Sequence, residues 1–350
     1  YKRIKLIMAF TTINKSSDYF NTKIYTGNGG TQSITDLGFQ PDLTWIKQRG
    51  GTTNNVLYDA VRGAYWTIQS NTTASQTADD GLTTWNSGGW NMANVSTTNG
   101  NGLSYVGWNW KANGQGSSNT DGSINTTYTS ANTTSGFSIV KWTSTDTAGS
   151  TMGHGLGAVP KMIITKKISS GNPNYWTTYH NSIGNTKSIF LNDTGAESGA
   201  STSYWNDTSP TSSVFSTGTY FDAGDYIAYC FAEKTGYSKF GSYFGNNNAD
   251  GKFVYTGFKP AFVMVKRAGG GTQSWGIVDN KRSNYNLISA MLNPDSSGTE
   301  GGNNGMDLLS NGFKMRSSDG NSNGYADKHI YMAFAEAPLV GSNNVPCTAR

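Results

Sequence analysis

The sequence predicts an all-β chain of three tandem related β-sandwich units, jelly-roll-like in kind. Three observations carry this. One set of landmarks occurs three times in the same order, apolar residues alternate over short runs, and helical periodicity is weak throughout.

The landmarks begin with Gly38, Pro41 and Lys47, which bracket the run Leu43, Thr44, Trp45, Ile46. Gly157, Pro160 and Lys166 bracket Met162, Ile163, Ile164, Thr165, and Gly257, Pro260 and Lys266 bracket Phe262, Val263, Met264, Val265. Glycine tolerates positive φ, and proline lacks the ladder donor, so both belong at a strand entrance. Next come Tyr58 and Asp59, Tyr179 and His180, or Val278 and Asp279; then Asn71, Asn192 or Asn293; then an aromatic strand start at Trp90, Phe215 or Phe313. Each unit closes on an apolar strand, over residues 105–110, 226–231 and 330–334. Short runs of this kind are strands, some of them buried on both faces, and the Gly-, Asn- and Ser-rich clusters between them are turns. One helical turn is expected near Asn293 and Asp295 and another over residues 60–67.

These positions divide the chain into an N-terminal arm (1–18), unit 1 (19–112), a linker or long exposed loop (113–135), unit 2 (136–235), unit 3 (236–340) and a tail (341–350). Units of about 100 residues suit small sandwiches, each with its own core. The arm mixes Lys2, Arg3 and Lys5 with Ile4, Leu6, Ile7 and Phe10 and has no counterpart in the later units, so it is expected to anchor the chain to another protein by adding a strand to a sheet edge.

Composition excludes several classes. Only 14% of the 350 residues are charged and the net charge is +4, with lysines and arginines scattered singly, so no nucleic-acid footprint is expected. No apolar run reaches the length of a membrane helix, and the stretch from Leu6 to Phe10 is too short for a Sec signal. The two cysteines, Cys230 and Cys347, are expected as unpaired thiols. With 44 glycines and a polar complement of Ser, Thr and Asn, the surface suits a long-lived extracellular particle.

The segments MAFTT (8–12), YTGNG (25–29), residues 38–47, YSKFGSY (237–243), YMAFAE (331–336) and VPCTAR (345–350) resemble a family of tailed-bacteriophage structural, tail-fibre-like proteins common in marine and cyanobacterial phages. The resemblance covers nearly the whole chain from Met8 and implies a virion location and no catalytic residues. The expected function is therefore a non-enzymatic virion appendage or fibre protein contributing to attachment to a host glycan or protein. A capsid decoration protein and a polysaccharide depolymerase are the alternatives. No cofactor is expected, and a homotrimer is, because closed symmetry removes exposed sheet edges.

Candidate sites are few. His154, His180 and His329 form no nucleophile motif, and the carboxylate pairs Asp79 with Asp80 and Asp222 with Asp225 lie in turn-like sequence. Asn246, Asn248 and Asp250, and Asp319, Asn321 and Asn323 with Asp327, alternate like weak cation loops, but both lack the closing glutamate, so hairpin turns are the simpler reading and no metal is assigned. Trp85, Tyr204 and Trp205 sit beside Asn and Thr in loop-like sequence, where amphipathic rings suit contact with sugars or proteins and make binding candidates, though core packing is the favoured reading.

Overall fold

The computed structural model describes residues 11–171, 175–283, 285–302, 305–324 and 326–340. The first stretch of chain holds β1 (Phe20–Thr26), β2 (Gln32–Ile34), β3 (Leu43–Gln48), β4 (Val56–Asp59), β5 (Trp66–Gln69), β6 (Thr77–Ala78), β7 (Thr84–Asn86), β8 (Gly89–Met92), the short helix α1 (Ser96–Asn99) and β9 (Ser104–Trp110). They form a large sheet ordered β1-β9-β3-β4-β5-β6 and a small one ordered β2-β8-β7.

The second stretch holds β10 (Tyr128–Asn132), β11 (Phe137–Ser144), β12 (Ser150–Gly153), β13 (Pro160–Lys167), β14 (Thr177–His180), β15 (Ile189–Phe190), α2 (Thr202–Trp205), β16 (Val214–Thr217) and β17 (Gly224–Ala232). Its sheets are β10-β11-β17-β13-β14-β15 and β12-β16. The third holds β18 (Ser238–Phe244), β19 (Phe253–Tyr255), β20 (Phe258–Arg267), β21 (Gly276–Asp279), β22 (Met306–Leu309), β23 (Gly312–Met315) and β24 (Lys328–Pro338), in sheets β18-β24-β20-β21 and β19-β23-β22.

The protein is all-β and built of sandwiches, and one pairing order recurs. The closing strand (β9, β17, β24) lies between the opening strand (β1, β11, β18) and the strand that follows the Gly-x-x-Pro turn (β3, β13, β20). The small sheets pair β2 with β8, β12 with β16 and β19 with β23. The turn glycines share one conformation, with φ of +89° at Gly38, +63° at Gly157 and +80° at Gly257. The two expected turns are single turns and not helices: residues 60–63 form one held by Asp59 Oδ1, which accepts Arg62 N at 2.8 Å, and in the other Ser296 N donates to Asn293 O at 3.1 Å.

The core departs from the expected row of separate domains. One face of each large sheet packs on its own small sheet, burying Ile46, Tyr58 and Trp90 in the first stretch, Trp142, Ile163 and Phe215 in the second, and Val263, Val278 and Phe313 in the third. The opposite faces meet in one shared core holding Trp45, Trp108 and Trp110 with Ile164, Tyr229 and Phe231 and with Met264, Met332 and Phe334. Trp110, Phe231 and Phe334, at matching places on the three closing strands, form a triangle of rings with centroids 6.3, 5.7 and 6.0 Å apart. Burial on both faces is why runs such as Phe262 to Val265 are apolar throughout.

Polar bonds at the seams run in a ring. Lys166 Nζ donates to Thr73 O at 2.7 Å, Lys266 Nζ to Thr194 O at 3.0 Å and Lys47 Nζ to Ser297 O at 3.1 Å, so each stretch reaches into the one before it and the first reaches the third. The acceptor loops are held alike, since Asn71 Oδ1 accepts Asn55 N, Asn192 Oδ1 accepts Trp176 N and Asp295 Oδ1 accepts Trp275 N. Asp295, two places after the Asn293 landmark, therefore holds that role in the third stretch.

Residues 113–135, expected as a linker or loop, run irregularly and then form β10, which pairs with β11. In the arm, Ile13 enters the shared core and Ser16–Asp18 make a 3-10 turn. The arm's basic residues Lys2, Arg3 and Lys5, the tail and Cys347 lie outside the described residues.

Candidate functional site

The titratable groups singled out in the sequence serve the fold. His154 Nε2 lies 3.1 Å from Thr211 O, His180 Nε2 3.1 Å from Tyr331 O and His329 Nδ1 3.0 Å from Asp327 O. Burial lowers the pKa of all three, that of His180 to about 4, so the rings are neutral near pH 7. Asp79 Oδ1 accepts the Tyr58 hydroxyl at 2.5 Å, Asp222 Oδ2 pairs with Lys167 at 2.7 Å, and Asp225 Oδ1 accepts Thr143 Oγ1 at 2.6 Å. Burial pushes the Cys230 thiol far up, which leaves it unreactive in the fold.

The cation-like loops pack on one another. Asn323 is buried, and its Nδ2 donates to Asn246 Oδ1 and Asn248 O at 2.8 Å and to Ser317 O at 2.9 Å. An amide that presents its donors inward repels a cation. Asp319 Oδ1 accepts Asn321 N at 2.8 Å, Asp327 pairs with Arg267, and Asp250 pairs with Lys314 at 2.6 Å. Among the described residues no group of three or more His, Cys, Asp or Glu is placed to hold a metal ion.

Of the aromatic candidates, Trp205 is a core residue. It is 1% exposed, Nε1 donates to Lys187 O at 3.1 Å, and the ring packs on Tyr179 and Phe221. The short helix α2, capped by Ser201 Oγ accepting Ser203 N, turns this side chain inward, which loop-like neighbours concealed. Trp85 is half-buried opposite Trp90 on the small sheet, and Tyr204 is half-buried against Phe190 and Tyr220.

Exposed rings occur in all three stretches, at Tyr65 and Trp66 in the first, Tyr175 in the second and Tyr285 in the third, and three more of the third stretch lie on its strands. Phe244 is 61%, Phe253 46% and Tyr255 54% exposed. Strand register places Phe244 where the other stretches have Thr26 and Thr143, and Phe253 where they have Ser33 and Thr151. Tyr255 borders a cleft of about 240 Å³ with Glu233, Thr235, Gly236, Ser238, Lys239 and Gly257. The Glu233 carboxylate and Lys239 ammonium lie 2.7 Å apart and are both partly exposed. The outward parity of Phe253 and Tyr255 about the core position Val254 was a signal in the sequence for these rings.

A hydroxyl-bearing exposed ring beside a paired acid and base can stack on an apolar ring face and hydrogen-bond its polar rim. No curated protein matches the chain. The family model for a domain of unknown function (DUF7483) matches residues 15–338, a span that takes in the strands of all three stretches. The chain belongs to the DUF7483 family.

Proposed function

We propose that the chain is a non-enzymatic structural protein of a phage virion, of appendage or fibre type, that contacts a host-surface glycan through the third stretch. The observation that carries this reading is an asymmetry at matching strand positions: Phe244, Phe253 and Tyr255 are exposed where the other stretches hold Thr or Ser, or, as the second-stretch counterpart of Tyr255, Gly153. Rings of this kind bury area at low entropic cost. A cleft of about 240 Å³ is smaller than the ~300 Å³ floor of drug-sized pockets and takes one sugar ring of a longer chain. The Glu233 and Lys239 pair supplies an acceptor and a donor for its hydroxyls.

The rest of the molecule supports this as a rigid mount. Few charges, a neutral polar surface and a ring of β-sandwiches about one apolar core suit a particle exposed to the medium. Three stretches close on one core within a single chain, and association of three such chains stays part of the proposal.

The test is titration of the purified chain with surface polysaccharide extracted from candidate host bacteria, alongside Tyr255→Ala. Saturable binding that falls at least tenfold in the variant, with no release of reducing ends, supports the proposal. Undiminished binding by the variant contradicts the site, and reducing-end release contradicts the non-enzymatic reading.

A further inference from the structure

Among the described residues, one sheet edge stands open where its counterpart is filled. Tyr19 O accepts Lys111 N and Gly27 N donates to Leu103 O, both at 2.9 Å, so the odd-numbered residues of β1 exchange bonds with β9. The N–H and C=O groups of Phe20, Thr22 and Ile24 therefore face the other edge, and no described strand pairs there. In the second stretch the counterparts of those residues are Phe137, Ile139 and Lys141, which pair with Asn132, Ser130 and Tyr128 of β10. Gly136 N to Asn132 O at 2.9 Å and Thr127 N to Lys141 O at 2.8 Å bracket that pairing.

The surroundings correspond as well. β10 lies between β11 and the end of the first stretch, where Asn113 N donates to Ser130 Oγ at 2.9 Å and Asn132 Nδ2 to Ala112 O at 3.3 Å. The residues that match Lys111 and Ala112 in the third stretch are Ala335 and Glu336. With Ala261, Asn280 and Lys281, they form the far wall of a groove along Phe20, Asn21 and Thr22. Its volume is about 60 Å³ at this end, and it continues past Lys23 and Ile24 into a wider part of about 300 Å³. The third such edge, on β18, is capped: Ser238 N donates to Lys234 O at 2.9 Å, and the Glu233 carboxylate stands 3.4 Å from Phe240 N.

A second observation points to an occupant. Thr22 is 6% exposed, lines the groove, and its Oγ1 has no hydrogen-bond partner among the described residues. A buried hydroxyl without a partner is costly. In the filled counterpart, β10 buries small hydroxyl side chains, Thr129 and Ser130, and Thr129 Oγ1 meets Thr126 Oγ1 at 2.9 Å.

We propose that the groove along β1 takes an extended peptide from another polypeptide as an added antiparallel strand, with small hydroxyl-bearing side chains facing inward. Main-chain bonds to Phe20, Thr22 and Ile24 supply the affinity and the narrow wall selects side-chain size. This interface is separate from the cleft at Tyr255, so failure of either leaves the other standing.

The probe is a synthetic peptide with the sequence of residues 126–134, titrated into the full chain and followed by binding and by amide hydrogen exchange. Saturable binding is expected, with exchange at Phe20, Thr22 and Ile24 slowed at least tenfold. The same peptide N-methylated at the residues corresponding to Tyr128, Ser130 and Asn132 is expected to bind at least tenfold more weakly. Thr22→Pro removes an edge donor not used by β9, and the variant is expected to lose binding while keeping its melting temperature within a few degrees. Absent binding, equal binding of the N-methylated peptide, or protection at β11 instead of β1 would overturn the proposal. The N-methylated arm decides it if the proline variant fails to fold.

Discussion

The Tyr229 hydroxyl, on the closing strand of the second stretch, donates to Asp59 Oδ2 of the first at 2.8 Å, with both groups buried. The same seam recurs around the ring with different chemistry. Trp108 Nε1 of the first stretch donates to Asp279 Oδ2 of the third at 3.0 Å, and His180 of the second meets Tyr331 O of the third. Asp59 and Asp279 each hold an arginine three residues on, Arg62 and Arg282. Burial pushes Asp279 up, but Arg282 and the hydrogen bonds outweigh it and hold the carboxyl below its ordinary value. In the second stretch Ile183 stands at that place and the partner is a neutral imidazole, so position is kept while charge is not.

Breaking the first of these seams should be costly. Asp59→Ala strands the buried Arg62 guanidinium and is expected to lower stability by about 3 to 5 kcal/mol. Tyr229→Phe removes one donor to that carboxylate while leaving the ion pair in place, and should cost less, about 1.5 to 3 kcal/mol. Urea unfolding of the two variants checks the order, and equal losses would contradict it.

His180 gives the fold an acid-side weakness. Its folded pKa of about 4 lies below the ordinary 6.5, so between those values the unfolded chain binds a proton that the folded chain does not, and stability falls as pH drops. The total is about 3 kcal/mol. Asp42 and Asp295, pushed up to about 6 by burial, act in the opposite sense over part of the same range. The comparison is therefore wild type against His180→Gln from pH 7 to 4, and wild type should lose more stability than the variant.

The three seam lysines act at the other end of the pH scale. Burial pushes Lys47, Lys166 and Lys266 down to about 8 from 10.5, so above pH 8 the unfolded chain binds more protons and stability should rise with pH. Buried tyrosines such as Tyr229 and Tyr237, raised above 10, reverse the trend once tyrosines of the unfolded chain ionise. Melting temperatures from pH 8 to 10 should climb in wild type and climb less in Lys266→Met; a flat wild-type profile would contradict the burial of these charges.

Gly157 tests the turn itself. Its φ is +63° and a Cβ there would touch nothing within 4 Å, so Gly157→Ala should cost about 1 kcal/mol through backbone conformation alone. Gly157→Asn should cost less, since asparagine tolerates the left-handed region. Thermal unfolding of both variants reads this directly.

The sequence made some of this legible for physical reasons. Gly38, Pro41 and Lys47 mark the first turn and strand because positive φ, a missing donor and a buried ammonium each restrict residue choice. Apolar residues on both faces of Phe262 to Val265 signalled double burial, but periodicity does not say which partner covers each face, so the shared core stayed hidden. In the third, longer loop Asp295 accepts the Trp275 N–H while the landmark Asn293 donates to Trp275 O, a division of roles that residue spacing does not reveal. Trp205 looked exposed because Asn206 and Asp207 follow it, while the turn of α2 that buries it is a tertiary outcome.

The central structural claim is that three stretches of chain form one cooperative body around Trp110, Phe231 and Phe334. Differential scanning calorimetry tests it most directly. A single transition with calorimetric and van't Hoff enthalpies in agreement is the expected result. Three separable transitions, or a calorimetric enthalpy about three times the van't Hoff value, would show independent domains and contradict the shared core.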